Sequence, residues 1–147
     1  MPNRTIPLYT IGIAAELLDV HPRTLRLYEE SGLLKPARRN NRRFYSDHDL
    51  MWVRCIRYLI HDKGLNQEGL RRLLALIPCW EIQQCPPGKG ASCLARQERS
   101  APCWHLDTPL RDGNGCYCCP VYLSAPEHVC SLEELAELDH YPLRHPA

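Results

Sequence analysis

The chain has 147 residues, enough for one domain of ordinary size or one small domain with an appendage, but too few for two full-sized cores. Hydrophobic residues make up 44% and charged residues 24%, which excludes a disordered or fibrous protein. Residues 1–77 carry 13 Lys and Arg against 8 Asp and Glu, a net charge of +5, whereas residues 78–147 carry 5 against 9, a net charge of −4, so the basic half favours a polyanionic partner.

The first residues lack the apolar segment of a signal peptide, and no stretch of sequence approaches the length of a membrane span. We therefore expect a cytoplasmic protein that does not bind membranes. In a reducing compartment, metal binding or redox sensing explains the nine cysteines better than a disulfide scaffold does.

Two short helices joined by a tight turn are predicted near the start of the chain. Thr10 is a good N-cap, and apolar residues at helical spacing follow it over residues 11–18. His21 and Pro22 suit the cap and the first turn of a second helix, which we expect to run to about Ser31. This arrangement is typical of a helix-turn-helix.

A hairpin is predicted next, in the run Arg38-Arg39-Asn40-Asn41-Arg42-Arg43. Paired asparagines tolerate the positive φ that the tip of a hairpin requires. Four arginines on a hairpin favour a wing that contacts backbone phosphates, although a solvated turn is the alternative.

Two further helices are predicted after the hairpin. Ser46 and Asp49 form a capping-box pattern for a third helix that ends at Gly64, and Asn66 caps a fourth helix that Pro78 halts. Their inward-facing residues are expected to be Leu50, Val53, Ile56, Leu59, Ile60, Leu70, Leu73, Leu74 and Ile77.

Three motifs resemble the MerR family of bacterial transcription regulators. They are Tyr-Thr-Ile-Gly, Pro-Arg-Thr-Leu-Arg-Leu-Tyr-Glu-Glu-Ser-Gly-Leu-Leu and Arg-Arg-Phe-Tyr-Ser-Asp-His-Asp-Leu, in this order. The resemblance covers residues 8–77 and implies a winged helix-turn-helix DNA-binding domain. Within the family, the chaperone-gene repressors of the heat-shock type look nearest, on Ala14-Ala15-Glu16-Leu17 and His21-Pro22.

By position, the resemblance implies that the second helix is a recognition helix and that the hairpin is a wing on double-stranded DNA. The residues expected to contact DNA are Thr10, Arg23, Thr24, Arg26, Tyr28, Arg38, Arg42, Arg43 and Tyr45. Tyr28 has a competing interpretation as a core residue, because aromatic side chains on helices usually pack.

Assembly is expected to depart from the family. Many members dimerise through a long helix after the DNA-binding domain, but Pro78, Pro86 and Pro87 stand where that helix would begin. Because proline in a helix interior costs about 3 kcal/mol, three of them exclude the helix. We expect a homodimer that uses another surface, with RNA polymerase as a further candidate partner.

Residues 78–130 are expected to form a cysteine-rich module. Pro-Cys-Trp at residue 78 recurs at residue 102, and further cysteines follow each copy. The pattern resembles a Cys-Trp repeat module, sometimes called two-CW, that is attached to bacterial signalling proteins. The predicted metal-binding residues are Cys79, Cys85, Cys93, Cys103, Cys116, Cys118 and Cys119.

The chemistry of these thiols leaves several alternatives. Thiolates select zinc, copper(I) and iron–sulfur clusters, but Cys116 and Cys119 form the only C-x-x-C pair, whereas a zinc ribbon normally uses two. An iron–sulfur cluster is therefore favoured, followed by zinc, a thiol–disulfide switch and inert thiols. Cys55 lies outside the module and is interpreted as a small hydrophobe of the helix core.

The expected fold is mainly α: a winged helix-turn-helix domain over residues 8–77, a small irregular cysteine-rich module over 78–130, and a short helix and tail over 131–147. Ser131 and Glu134 form a capping-box pattern that predicts a final helix over residues 132–139. The expected function is a transcription regulator of the bacterial nucleoid whose module senses redox state or a metal.

An architectural or excisionase-like DNA binder with a structural zinc site is the alternative function. An enzyme is disfavoured, because the sequence shows no phosphate loop, paired carboxylates or nucleophile triad.

Overall fold

The computed structural model describes residues 4–77, 82, 102, 104–105 and 120–138. The elements in chain order are β1 Tyr9–Thr10, α1 Ile11–Leu18, α2 Pro22–Glu30, β2 Ala37–Arg39, β3 Arg42–Tyr45, α3 Asp47–His61, α4 Gln67–Leu74, α5 Pro120–Leu123, α6 Ala125–Val129 and α7 Leu132–Glu137. No helix in these ranges is long and apolar enough to cross a membrane.

The predicted helix-turn-helix is confirmed. The Thr10 side chain accepts a hydrogen bond from the backbone of Ile13 at the start of α1, and His21 Nδ1 accepts one from the Arg23 N–H at 3.1 Å at the start of α2. Asp19 adopts the left-handed conformation, with φ of 52°, and turns the chain between the two helices.

The predicted hairpin is confirmed and forms the wing, residues 37–45. Asn40 and Asn41 have φ values of 51° and 64°, so both residues of the tip are left-handed, as a tight hairpin turn with the favoured twist requires. The strand β1, which the sequence did not predict, pairs with β3 and gives the sheet order β1-β3-β2. The wing is thereby fixed to the start of α1.

Helix α3 begins at the predicted capping box, in which Ser46 and Asp49 bond reciprocally, and α4 begins at the predicted cap Asn66. Both helices end about three residues before the predicted stops. Leu73, expected to face inward, is 43% exposed, whereas Leu70 and Leu74 are the buried side chains of α4.

Residues 120–138, here called the C-terminal segment, pack on the helix-turn-helix core. The predicted capping box of α7 is present. The buried residues Val121, Tyr122, Ala125, Cys130 and Leu138 belong to the same hydrophobic cluster as Leu33, Trp52 and Leu74. The C-terminal segment therefore shares one hydrophobic cluster with the helix-turn-helix, and the domain boundary at Pro78 stays a prediction.

Candidate nucleic-acid interface

Helix α2 divides its side chains between the core and the surface. Leu25 is fully buried, whereas Arg23 and Arg26 are exposed and lie three residues apart, on one face of the helix. Thr24 is half-buried between these faces. The exposed face of α2 thus carries two cations on a helix that follows a tight turn, the arrangement by which a recognition helix reaches phosphates and base edges.

Glu29 ties α2 to the wing, a contact that the sequence analysis missed. Its Oε1 accepts from Arg38 Nη2 at 2.8 Å, and its Oε2 accepts from Arg43 Nε. The Glu29 side chain is only 15% exposed, so these ion pairs are partly shielded from solvent. Two of the predicted wing arginines are therefore held by a carboxylate, which fixes the wing against α2.

An open cleft of about 310 Å³ lies where α1, α2 and the wing meet. We call it the arginine cleft, and its lining residues are Thr10, Ile11, Arg26, Asn41, Arg42 and Arg43. No acidic side chain lines it among the described residues, and Arg26 and Arg42 form no ion pair there. Thr10 also places the N-terminal end of α1 at the cleft, and such an end favours anions. The cleft suits a phosphate group.

Tyr28 and Tyr45, two of the predicted DNA contacts, are core residues. Tyr28 is 3% exposed and its hydroxyl accepts from Arg57 at 3.4 Å, while Tyr45 is completely buried at the end of β3. Burial raises the pKa of both hydroxyls. Burial favours the core interpretation of both residues, because Tyr28 shares the buried face of α2 with Leu25 and Tyr45 belongs to the same hydrophobic cluster. Their contact with DNA stays a prediction.

A buried polar network supports the framework of this interface. The Tyr122 hydroxyl donates to Asp49 Oδ1 at 2.7 Å and accepts from the backbone N–H of Lys35 at 3.3 Å. Asp49 Oδ2 accepts from the backbone of Ser46, so a single carboxylate both caps α3 and binds the C-terminal segment. Burial raises the pKa of Asp49 to about 6. The capping pattern was visible in the sequence, but the partner Tyr122 was not.

Trp104 belongs to the second Pro-Cys-Trp copy and reaches the turn after α2. Its Nε1 donates to the Gly32 carbonyl at 2.8 Å, and its ring meets Tyr122 edge-on. Gly32 has φ of +82°, and a Cβ built there would lie 2.7 Å from the ring of His105. Glycine is thus required at residue 32 by both the left-handed turn and the close approach of residues 104–105.

The seven predicted metal ligands, Cys79, Cys85, Cys93, Cys103, Cys116, Cys118 and Cys119, lie outside the described residues. So do Pro78, Pro86 and Pro87, which were expected to exclude a long helix. Within the described part of the chain, no group of three or more His, Cys, Asp or Glu side chains could hold a metal ion. The metal site therefore stays a prediction.

The pattern of MerR HTH family regulatory proteins matches residues 9–77. HspR of Streptomyces coelicolor, which carries a heat shock protein name, is 41% identical over 71 residues, covering 48% of this chain and 47% of HspR. The HTH-type transcriptional regulator GlnR of Bacillus anthracis is 38% identical over 75 residues, covering 50% of this chain and 57% of GlnR.

A third relative, the HTH-type transcriptional regulator ZntR of Escherichia coli, is 28% identical over 135 residues, covering 88% of this chain and 93% of ZntR. The chain otherwise spans about half the length of the curated relatives that it matches at higher identity. The matched region coincides with β1 to α4, which contain the recognition-helix candidate, the wing and the arginine cleft. Residues 9–77 of this chain are therefore a helix-turn-helix domain of the MerR family.

Proposed function

We propose that this chain is a transcription regulator that binds double-stranded DNA through α2, the wing and the arginine cleft. The observation that carries the proposal is the cleft itself, in which arginines from α2 and from the wing converge without a lining carboxylate among the described residues. Phosphate contacts supply most of the affinity of such proteins, whereas contacts to base edges specify sequence. In this proposal Arg23 and Arg26 contact base edges, and Arg42 contacts a phosphate.

The test compares Arg26→Ala and Arg42→Ala on a duplex selected from a random library by the wild-type protein. We expect Arg26→Ala to lose about 1 to 3 kcal/mol of discrimination between the selected and an unrelated duplex. We expect Arg42→Ala to weaken binding to both duplexes about equally and to reduce the salt slope by about one. Fluorescence anisotropy titrations at several salt concentrations measure both quantities.

Arg72→Ala is the matched control, because its side chain is 66% exposed on α4 and does not line the cleft. It should bind the selected duplex as the wild type does. Equal affinity of all three variants and the wild type for both duplexes would overturn the proposed interface.

We further propose that the DNA-bound form is a homodimer on an inverted repeat. A single module of this kind buries only about 600 to 1,000 Å² of its surface on DNA, which rarely suffices for operator affinity. A dimer would place its two recognition helices about one helical turn apart. Footprinting should show two protected half-sites related by a dyad, and one short asymmetric footprint per chain would favour the architectural alternative.

The proposed sensor is the cysteine-rich module, with Cys79, Cys103, Cys116 and Cys119 among the thiolate ligands of an iron–sulfur cluster or of zinc. The sequence supports this proposal. About 50 residues rich in proline and cysteine need a crosslink to fold, and disulfides are disfavoured in a reducing compartment, which leaves a metal or a cluster. A cluster would supply one-electron redox chemistry. Zinc would supply a redox-inert crosslink instead.

Visible absorbance together with iron, sulfide and zinc analysis of anaerobically purified protein separates these cases. Brown protein with iron and sulfide supports the cluster, and colourless protein with stoichiometric zinc supports an architectural DNA binder with a structural metal. Changing each of the four cysteines to Ser should lower the bound metal and the protease resistance of residues after 78. Full metal content in all four variants would exclude these thiols as ligands.

A further inference from the structure

Cys55 and Cys130 lie outside the predicted metal-binding set, and the structure brings them together. Cys55 is in the middle of α3, and Cys130 lies between α6 and α7, 75 positions away in the sequence. Their Sγ atoms are 2.8 Å apart, and both thiols are free. Cys55 is completely buried and Cys130 is 7% exposed.

This contact differs from the packing of inert cysteines. A buried free cysteine ordinarily acts as a small hydrophobe, for which contact with any apolar side chain suffices. Here the two sulfur atoms contact each other instead. To form a disulfide bond of about 2.05 Å, they would have to approach by less than about 1 Å. Among the described residues no third ligand joins them in a group able to hold a metal.

The surroundings of the pair make the two thiols unequal. The two sulfurs share a hydrogen bond in which either thiol can donate. This bond together with burial raises the pKa of Cys55, and the same bond lowers the pKa of Cys130. Lys63 also lowers the pKa of Cys130, while Glu134 and burial oppose that change. Cys130 is thus both the more exposed sulfur and the one that more readily becomes a thiolate, the form that attacks oxidants.

We propose that Cys55 and Cys130 are a redox modification site, at which a hydroperoxide oxidant converts the two thiols to a disulfide that fastens the C-terminal segment to α3. The Cys130 thiolate attacks a peroxide oxygen, breaks the O–O bond and becomes a sulfenic acid, and hydrogen peroxide leaves one water. The Cys55 sulfur then attacks the sulfenic sulfur, the S–S bond forms and the S–O bond breaks, and a second water leaves. The peroxide gains two electrons, and the two thiol protons end in the two waters.

The location gives the disulfide a structural consequence. The C-terminal segment holds Asp49 and the Lys35 backbone through Tyr122, and Asp49 caps α3. Without the crosslink, the segment is held by these contacts, by apolar packing, and by polar contacts of Leu123 with His48 and of Glu134 with Tyr58 and Lys63. The disulfide would close a loop of 75 positions, and a long closed loop removes much of the freedom of the unfolded chain. Oxidation should therefore stabilise the docked segment further, and a dithiol reductant should reverse that added stabilisation.

Peptide mapping tests the site in the full-length wild-type protein. Trypsin together with a protease specific for glutamate cuts Cys55 into the peptide 55–57 and Cys130 into the peptide 128–133, each with a single cysteine. After treatment with hydrogen peroxide and alkylation of the remaining thiols, we expect these two peptides to be recovered crosslinked. They should separate after dithiothreitol. Both peptides recovered alkylated, or either one crosslinked to another cysteine, would overturn the proposal.

Thermal unfolding provides a second readout with a matched variant. Oxidised wild type should unfold at least about 4 °C above the reduced protein, whereas Cys130→Ser should show no such shift under the same treatment. An equal shift in both proteins would assign the stabilisation to other cysteines and overturn the proposal. Neither experiment involves DNA, so loss of the DNA-binding proposal would leave this result standing, and the converse also holds.

Discussion

The arginine cleft and the docked C-terminal segment differ in the distance along the chain over which their contacts are made. The cleft is built from residues between Thr10 and Arg43. The segment is held by bonds such as that from the Lys35 backbone to Tyr122, which joins positions 87 apart. Caps and turn residues therefore build most of the cleft locally, and the pairing of β1 with β3 places Thr10 beside the wing. The framework behind it depends on parts of the chain that local patterns do not connect.

This difference leads to opposite expectations for mutation. Changes in the cleft should alter ligand binding and leave stability nearly unchanged, because Arg26 and Arg42 are exposed. Changes in the docked segment should alter stability first, because Tyr122 is fully buried and bonded to a buried carboxylate.

The largest effect is expected for Tyr122→Ala. Removing a buried aromatic side chain typically costs about 3 to 5 kcal/mol, and here it also removes the hydroxyl that donates to Asp49 Oδ1, while Oδ2 keeps the Ser46 backbone N–H. Leu132→Ala, in the same segment but on a side chain that is 80% exposed, is the matched control and should change the free energy of unfolding by less than about 0.5 kcal/mol. Urea denaturation measures the free energy of unfolding of both variants. Similar losses for the two variants would mean that the segment is not docked through Tyr122.

The next effect is a pH dependence that originates at Asp49. Burial raises its pKa from the ordinary 3.8 to about 6, so between about pH 4 and pH 6 the folded protein binds more protons at this site than the unfolded chain. The contribution of Asp49 to the free energy of unfolding therefore falls as the pH rises through this window, by about 2 to 3 kcal/mol. Asp49→Asn should abolish that fall.

His48 gives the opposite pH dependence. Burial lowers its pKa, so its contribution to the free energy of unfolding is lost as the pH falls below about 6.5. The informative quantity is therefore the difference in unfolding free energy between wild type and Asp49→Asn at each pH. The exposed Asp62→Asn serves as the control and should follow the wild-type profile. Parallel curves for wild type and Asp49→Asn across pH 4 to 7 would contradict the assignment.

Much of the fold of residues 9–77 could be predicted from the sequence, for physical reasons that particular residues illustrate. Thr10, His21, Ser46 and Asn66 cap their helices with side chains that bond within three residues, so the signal is contained in a short window. The two-residue strand β1 was missed because it is too short to show alternation. Its pairing with β3 depends on a distant partner.

In the candidate site, too, some residues could be located from the sequence and others could not. The arginines of α2 and the wing could be located by their position after a tight turn. Which of the tyrosines is buried depends on packing between elements, so the sequence could not show that Tyr28 and Tyr45 are core residues. Glu29 gave no local signal as the partner of Arg38 and Arg43, because a glutamate near the end of a helix is ordinarily a solvated residue.

The smallest effect is expected for the ion pair between Glu29 and Arg43, and a double-mutant cycle with Glu29→Gln and Arg43→Gln measures it. The two side chains are 15% and 24% exposed, so their attraction is screened less than that of a surface pair, and we expect a coupling free energy of about 1 kcal/mol in urea denaturation. The control cycle uses Glu68 and Arg72, an i,i+4 pair on α4 with side chains 52% and 66% exposed, for which about 0.3 to 0.5 kcal/mol is expected. Raising the salt concentration should remove the control coupling before that of Glu29 and Arg43, because exposed pairs are screened first. Equal couplings that vanish together would show that the pair of Glu29 and Arg43 does not hold the wing, and the position of the wing would then rest on other contacts, among them the pairing of β1 with β3 and the burial of Tyr45.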